Sequence, residues 1–327
     1  MSDSQGGNAS GPSVIIAVID TGVDYTHPEL KDMMWTNPGE TVANKVDDDD
    51  NGIVDDVYGA DFISSSSGTG IGDPIDGHGH GTHCAGIIAA KENNGEGIRG
   101  VASFTQGKVK ILACKGLSDK GAGTSASMML CLDYAIKNGA KISSNSWGGS
   151  GISSDTEKAW DRVLRNNPEH LFVAAAGNSR QEINDGNKYM ACGLNEYNLL
   201  CVASSDKNGR KSSFSNYGPH VHVFAPGSKI YSTLPSNRYA SWSGTSMACP
   251  HVAGLAALIK TMRSDLTGQQ VRQFIESNVQ KKAEYKGLVT SGGLIDVAAT
   301  IIAVKSSNGT GKYILIKEFI LKYYIDR

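Results

Sequence analysis

Gly244-Thr245-Ser246-Met247-Ala248-Cys249-Pro250-His251-Val252-Ala253-Gly254 leads through a glycine and a threonine into a serine, followed by small and apolar residues. Val252, Leu255, Ala256 and Ile259 recur at i, i+3, i+4 and i+7, the stripe of a buried helix. Pro250 suits the first turn of that helix, where its missing N–H would be unpaired anyway. Ser246 is therefore expected at or just before a helix N-terminus, where backbone N–H groups and the dipole favour developing negative charge. Two roles fit such a serine, a nucleophile or an N-cap.

Upstream, Val14-Ile15-Ile16-Ala17-Val18-Ile19 is an unbroken apolar run ending in Asp20-Thr21-Gly22. Such a run reads as a parallel strand covered on both faces. Asp20 then sits where open α/β sheets hold their ligands, although a turn cap also fits it. Asp76-Gly77-His78-Gly79-His80-Gly81-Thr82-His83-Cys84-Ala85-Gly86 opens a small-residue helix from Ala85 to Ala90. Three histidines spaced i, i+2 in a Gly-rich lead-in do not converge as metal ligands on a helix do. A single imidazole base at the helix start is the sharper reading.

Further strands are expected at Val109–Cys114, within Lys141–Gly149 (a strand ending at a turn), and at Leu171–Ala176, Leu199–Ala203 and Val221–Ala225. Helices are expected at Ser125–Asn138, Ser154–Asn166 and Gln269–Asn278, with Gly293–Ala298 closing the pattern. The alternation predicts an α/β fold, one doubly wound, mainly parallel sheet with helices on both faces.

The 327 residues carry a net charge of -2, which gives no reason to expect nucleic acid or an anionic membrane. No run reaches the ~18 apolar residues of a membrane span. Met1–Gly11 lacks a signal-peptide core, as in a trimmed catalytic fragment or a cytosolic protein. The expected organisation is a flexible segment 1–12, a body 13–304 and an extension 305–327 of unknown role, with a possible glycosylation acceptor at Asn308-Gly309-Thr310. Six cysteines are present and none forms a CxxC pair. Cys84 and Cys249 fit buried thiols or disulfides equally, while Cys192 and Cys201 bracket a short turn and suit a disulfide. In Asp47-Asp48-Asp49-Asp50-Asn51-Gly52-Ile53-Val54-Asp55-Asp56, Asp47, Asp49 and Asn51 take positions 1, 3 and 5 of an EF-hand-type loop, with Val54 as apolar anchor. Position 12 is Tyr58, so a last ligand would come from Asp55 or Asp56. Calcium (Ca2+) or a merely solvated acidic loop both fit.

Asp20, His80 and Ser246 stand in the chain order of the subtilisin triad. Asp20-Thr21-Gly22, His80-Gly81-Thr82-His83 and Gly244-Thr245-Ser246-Met247-Ala248 resemble motifs of the subtilisin-like serine protease family. Ala175-Ala176-Gly177-Asn178 resembles that family's oxyanion-hole segment, and the resemblance runs from about Val14 to Ala303. It implies a three-layer subtilisin-like fold and an endopeptidase acting on protein and peptide substrates. Asp20 would orient His80, His80 would take the proton of Ser246, and Asn178 with a backbone N–H near Ser246 would hold the oxyanion. His83 would be structural and His78 a loop residue.

By the same resemblance Gly121-Ala122-Gly123 and Ser146-Trp147-Gly148 would be edge strands sandwiching an extended substrate. Lys188 would lie near the floor of the primary specificity pocket, favouring polar or acidic residues before the cut. Glu29, where the family more often has Asp, and Asn94 would be ligands of a structural calcium. The acidic loop and Cys114, Cys131, Cys192 and Cys201 resemble secreted subtilisins of protozoan parasites, with Cys192–Cys201 and Cys114–Cys131 as pairs. An inhibitory prosegment, secretion and a monomeric state complete what the resemblance implies. The alternative is an inert, calcium-stabilised binding module on the same fold.

Overall fold

The computed structural model describes residues 13–64, 69–105, 107–151 and 153–307. The expected N-terminal segment 1–12 and the Asn308 acceptor lie outside the described residues, as does all but the start of the C-terminal extension. In chain order the strands are β1 (Val14–Asp20), β2 (Gly59–Asp61), β3 (Val109–Lys115), β4 (Ile142–Asn145), β5 (Gly149–Ser150), β6 (Leu171–Ala175) and β7 (Tyr189–Met190). They continue as β8 (Leu199–Ser205), β9 (Val223–Pro226), β10 (Ile230–Leu234), β11 (Arg238–Trp242), β12 (Gln280–Lys281) and β13 (Gly293–Leu294). The helices are α1 (His80–Ala89), α2 (Ser125–Lys137), α3 (Ser154–Arg165), α4 (Thr245–Met262), α5 (Gly268–Ser277) and α6 (Val297–Ser306).

Nine strands form one sheet in the order β12-β13-β9-β8-β6-β4-β1-β3-β2. All pairings are parallel except that of β12 at the edge. The chain leaves β1 toward β3 on one side and builds outward from β4 on the other. That reversal puts the ligand-binding crevice at the carboxyl ends of β1 and β4. On β1, Ile16 and Val18 enter a core shared with α1 and α4, while Ala17 and Ile19 enter the one shared with α2. Burial on both faces is why the run has no polar alternation.

α4 is buried from Met247 to Lys260 except on the side of His251, and its small residues let it lie close under β4, β6, β8 and β9. The helix starts at Thr245, so Pro250 falls in the second turn and not in the first as expected. A proline there leaves the carbonyl four residues back without a helical partner. That carbonyl belongs to Ser246, and it accepts from Ser146 Oγ at 2.9 Å and Cys84 Sγ at 3.4 Å.

Cys192 and Cys201 are joined, with Cα atoms 5.3 Å apart. Cys114 and Cys131 are not, contrary to the second expected pair. Both are free thiols in hydrogen-bond contact within the core between β3 and α2, where burial pushes the Cys114 thiol well up. Cys84 and Cys249 are buried thiols. The β10–β11 hairpin escaped the sequence reading because its strands are half-exposed and partly polar.

Burial also holds several histidines neutral. His83 and His170 are pushed down to about 4, and His222 and His251 below the ordinary value, by desolvation in each case. In the unfolded chain these rings take up protons near pH 6.5. Between there and about pH 4 the unfolded state binds more protons, so stability falls as pH falls through that window. His80, whose pKa is raised, contributes in the opposite sense and is outnumbered. We expect a Tm that drops progressively from pH 6.5 to 4; a Tm independent of pH across that range, in thermal melts followed by circular dichroism, would contradict it.

Candidate active site

Asp20 ends β1 fully buried. Its Oδ1 accepts from the Thr21 amide at 2.7 Å and lies 2.7 Å from His80 Nδ1. A carboxylate acceptor makes Nδ1 the donor, which leaves Nε2 as the basic nitrogen. Desolvation lowers the His80 pKa, but the Asp20 charge and hydrogen bond, with the Asp76 charge, outweigh it and hold it above the ordinary value.

Two features bring α1 this close to β1. A Cβ at Gly81 would stand 2.0 Å from the Gly22 carbonyl oxygen, so only glycine permits the approach. Asp76, also buried, accepts from Thr21 Oγ1 at 2.9 Å, the His78, Gly79 and Thr82 amides at 2.9, 2.8 and 2.9 Å, and Thr82 Oγ1 at 2.6 Å. Together with Thr21 Oγ1, which accepts from the Gly81 amide at 3.0 Å, this carboxylate takes up donors around the helix start and fastens the acid's loop to the base's helix. Sequence reasoning assigned Asp76 no role, although an acidic side chain just ahead of an apolar helix is a start signal. His83 stacks on Trp242, centroids 4.8 Å apart, with Nε2 3.1 Å from the Ala240 carbonyl, a structural place as expected. His78 is an exposed loop residue at the cleft.

Ser246 lies in the first turn of α4, and its Oγ donates to the Ser146 carbonyl at 3.2 Å. Since Ser146 Oγ donates to the Ser246 carbonyl in return, the two residues clasp the helix start to the end of β4. Asn178 follows β6. Its Oδ1 accepts from the Thr245 amide at 2.9 Å and Thr245 Oγ1 at 3.1 Å, while Thr245 Oγ1 accepts from the Gly177 amide at 2.9 Å. With Oδ1 so engaged, Nδ2 is the free end of the side chain.

His80, Asn178 and Ser246 line one cleft of about 700 Å³, as do Gly121–Gly123 and Ser146–Gly148. Neither of those last two segments is a strand, contrary to expectation. Ser118 and Ala122 close a turn around the first (Ser118 amide to Ala122 carbonyl, 2.9 Å), and among the described residues the second has no paired neighbour until β5 meets β7. Lys188 is also misplaced by the sequence reading. It does not line the cleft; its ammonium pairs with Glu157 of α3, and Tyr189 and Met190 reach the cleft instead.

Glu29 is fully buried; its Oε1 accepts from the Ile98 amide at 3.2 Å and Tyr239 Oη at 3.1 Å, while Oε2 is buried with no partner among the described residues. The loop 92–98 folds over it, a Cβ on Gly97 falling 2.0 Å from Oε1. A buried carboxylate with an unmatched oxygen beneath a loop fits a hard cation. Asn94 is exposed and its Oδ1 accepts from the Glu96 amide at 3.2 Å.

The acidic loop departs from the EF-hand order. Oxygens of Glu40, Asp49 and Asp56 lie within 4.8 Å of one another. Asp47 instead accepts from the Asn51 and Gly52 amides, and Asn51 Nδ2 donates to Asp56 at 3.0 Å. Asp55 is turned to the Asn44 and Lys45 amides. Ile53 is the buried anchor, whereas Val54 is 47% exposed. Glu40 was missed because it lies outside the motif.

Residues 11–294 match the model of the subtilase family. The chain is 34% identical to subtilisin-like protease 1 of Plasmodium berghei (strain Anka) over 312 residues, 90% of this chain and 50% of that protein. It is 40% identical to thermitase of Thermoactinomyces vulgaris over 277 residues, covering 84% of this chain and 83% of thermitase. Among solved structures it resembles a cold adapted subtilisin-like serine proteinase, with a TM-score of 0.64, 28% identity and 89% coverage of both chains. The chain belongs to the subtilase family, with the three-layer α/β architecture of subtilisin-like proteinases. It spans about half the length of its Plasmodium relatives. Among the described residues no helix is long and apolar enough to cross a membrane.

Proposed function

We propose that this chain is a serine endopeptidase working through Asp20, His80 and Ser246. The observation that carries the reading is the 2.7 Å contact of Asp20 Oδ1 with His80 Nδ1, with His80, Ser246 and Asn178 on one cleft. Ser246 Oγ attacks the scissile carbonyl as His80 Nε2 takes its proton. Buried Asp20 stabilises the imidazolium. Asn178 Nδ2 and the Ser246 amide at the start of α4 donate to the oxyanion, and His80 returns the proton to the departing amine. Water then cleaves the acyl-enzyme by the same route. The cleft-lining segments Ser146–Gly148 and Gly121–Gly123, neither of them paired in a sheet, would flank an extended peptide and offer it main-chain partners. A fluorophosphonate probe tests the reading: native protein should label at Ser246, and absence of label would favour the inert binding module.

Structural calcium belongs to this reading. Glu29 and the carbonyls of loop 92–98 would hold one ion, and Glu40, Asp49 and Asp56 a second. An ion there neutralises crowded carboxylates and ties loops to the sheet. A ligand bound only by the folded state stabilises it by about 2.7 kcal/mol at a hundredfold excess over Kd. Chelation is therefore expected to lower Tm, with recovery on adding calcium; an unchanged melt after confirmed metal removal would refute the site. The Cys192–Cys201 bond supports an oxidising, secretory location. An inhibitory prosegment and a monomeric working form rest on the family resemblance.

A further inference from the structure

Tyr189 has no part in that mechanism, yet its ring occupies a decisive place. A Cβ on Gly148 would fall 2.4 Å from its Cε1, and a Cβ on Gly177 would fall 2.7 Å from its Cζ. The ring therefore bridges the two segments that carry these glycines. One of them begins at Ser146, whose carbonyl oxygen is 3.2 Å from Ser246 Oγ; the other ends at Asn178. A carbonyl carbon attacked by Ser246 with its oxygen at Asn178 has its own Cβ only two bonds away. The side chain of that residue must enter the concavity between the same two segments. Tyr189 packs against the core cluster that contains Trp160 and Phe172, and β7 is paired to β5, so the ring is held by fixed structure.

Resting on the endopeptidase reading, we propose that Tyr189 sets the size of the residue accepted on the acyl side of the cut. Its ring fills the slot between Gly148 and Gly177, so glycine, alanine or serine is admitted and aromatic or large aliphatic side chains are refused. Bulk set against a rigid wall discriminates by repulsion, which is steeper than the gain from adding apolar contact.

Peptides that differ only at the acyl-side residue test this on the folded, active chain. For the wild type, kcat/KM should favour alanine over phenylalanine by about 100-fold or more. Tyr189→Ala should cut that ratio at least about tenfold through a gain on phenylalanine, whereas Tyr189→Phe, which keeps the ring, should preserve it. Tyr189→Val replaces the alanine variant should that one fail to fold. Equal cleavage after alanine and phenylalanine by the wild type would overturn the proposal, as would an unchanged ratio in a folded Tyr189→Ala or Tyr189→Val protein. No cleavage of any peptide, with no fluorophosphonate label at Ser246, would instead overturn the endopeptidase reading and this proposal with it.

Discussion

Replacing Ser246 with alanine is expected to lower kcat by about 10⁶-fold, the size of the equivalent loss in subtilisin. In the proposed mechanism the hydroxyl is the group that bonds to substrate, and no neighbour is placed to stand in for it. The nearest thiols, Cys84 and Cys249, are buried, and burial pushes both further from the thiolate form. The helix start should survive the change, since the Ser146 and Cys84 bonds go to the Ser246 backbone carbonyl and not to its side chain. KM for a peptide should therefore change little. Single-turnover kinetics on the purified variant, with a Tm to show folding, decide the matter. Retention of more than about a tenth of the activity in a folded variant would mean that another group performs the attack.

Asp20→Asn is expected to cost about 10⁴-fold in kcat. An asparagine can present its amide N–H to His80 and favour the wrong tautomer, with Nε2 protonated and unable to accept from Ser246. A second consequence separates this from simple unfolding. His80 must be neutral to act as base, so activity rises as pH climbs through its pKa, which the Asp20 charge raises. Removing that charge lowers the pKa, and the acid limb of kcat/KM should move to lower pH in the residual activity. An acid limb in the same position would show that Asp20 does not govern the base.

β1 and α4 were legible in the sequence because each leaves a one-dimensional trace. Burial on both faces of β1 demands an unbroken apolar run, and the packing of α4 demands a helical stripe of small and aliphatic residues. Asp20, His80, Asn178 and Ser246 were legible as motifs at the ends of such elements. Asp76 was not, since its work is done through hydrogen bonds to Thr21 and Thr82 that only the folded chain creates. The acidic loop misled because EF-hand spacing specifies ligands within one segment, while Glu40 joins from outside and Asp55 is drawn off by two local amides. Lys188 was wrong by one residue. In an extended segment neighbouring side chains point to opposite sides, so one step separates an ion pair with α3 from a seat in the cleft.

The reciprocal clasp between Ser146 and Ser246 joins chain segments made far apart in time. Asp20 arrives with the first strand and Ser246 only with α4, and Pro250 ensures that the serine's carbonyl must find its partners just beyond β4 and on α1 and not within its own helix. Contacts of such long sequence separation must offset the entropy of closing a long loop. Until the chain has been made as far as α4, Asp20 and His80 have no Ser246 beside them. Under the endopeptidase reading, the site is therefore complete only once α4 is docked against α1 and β4.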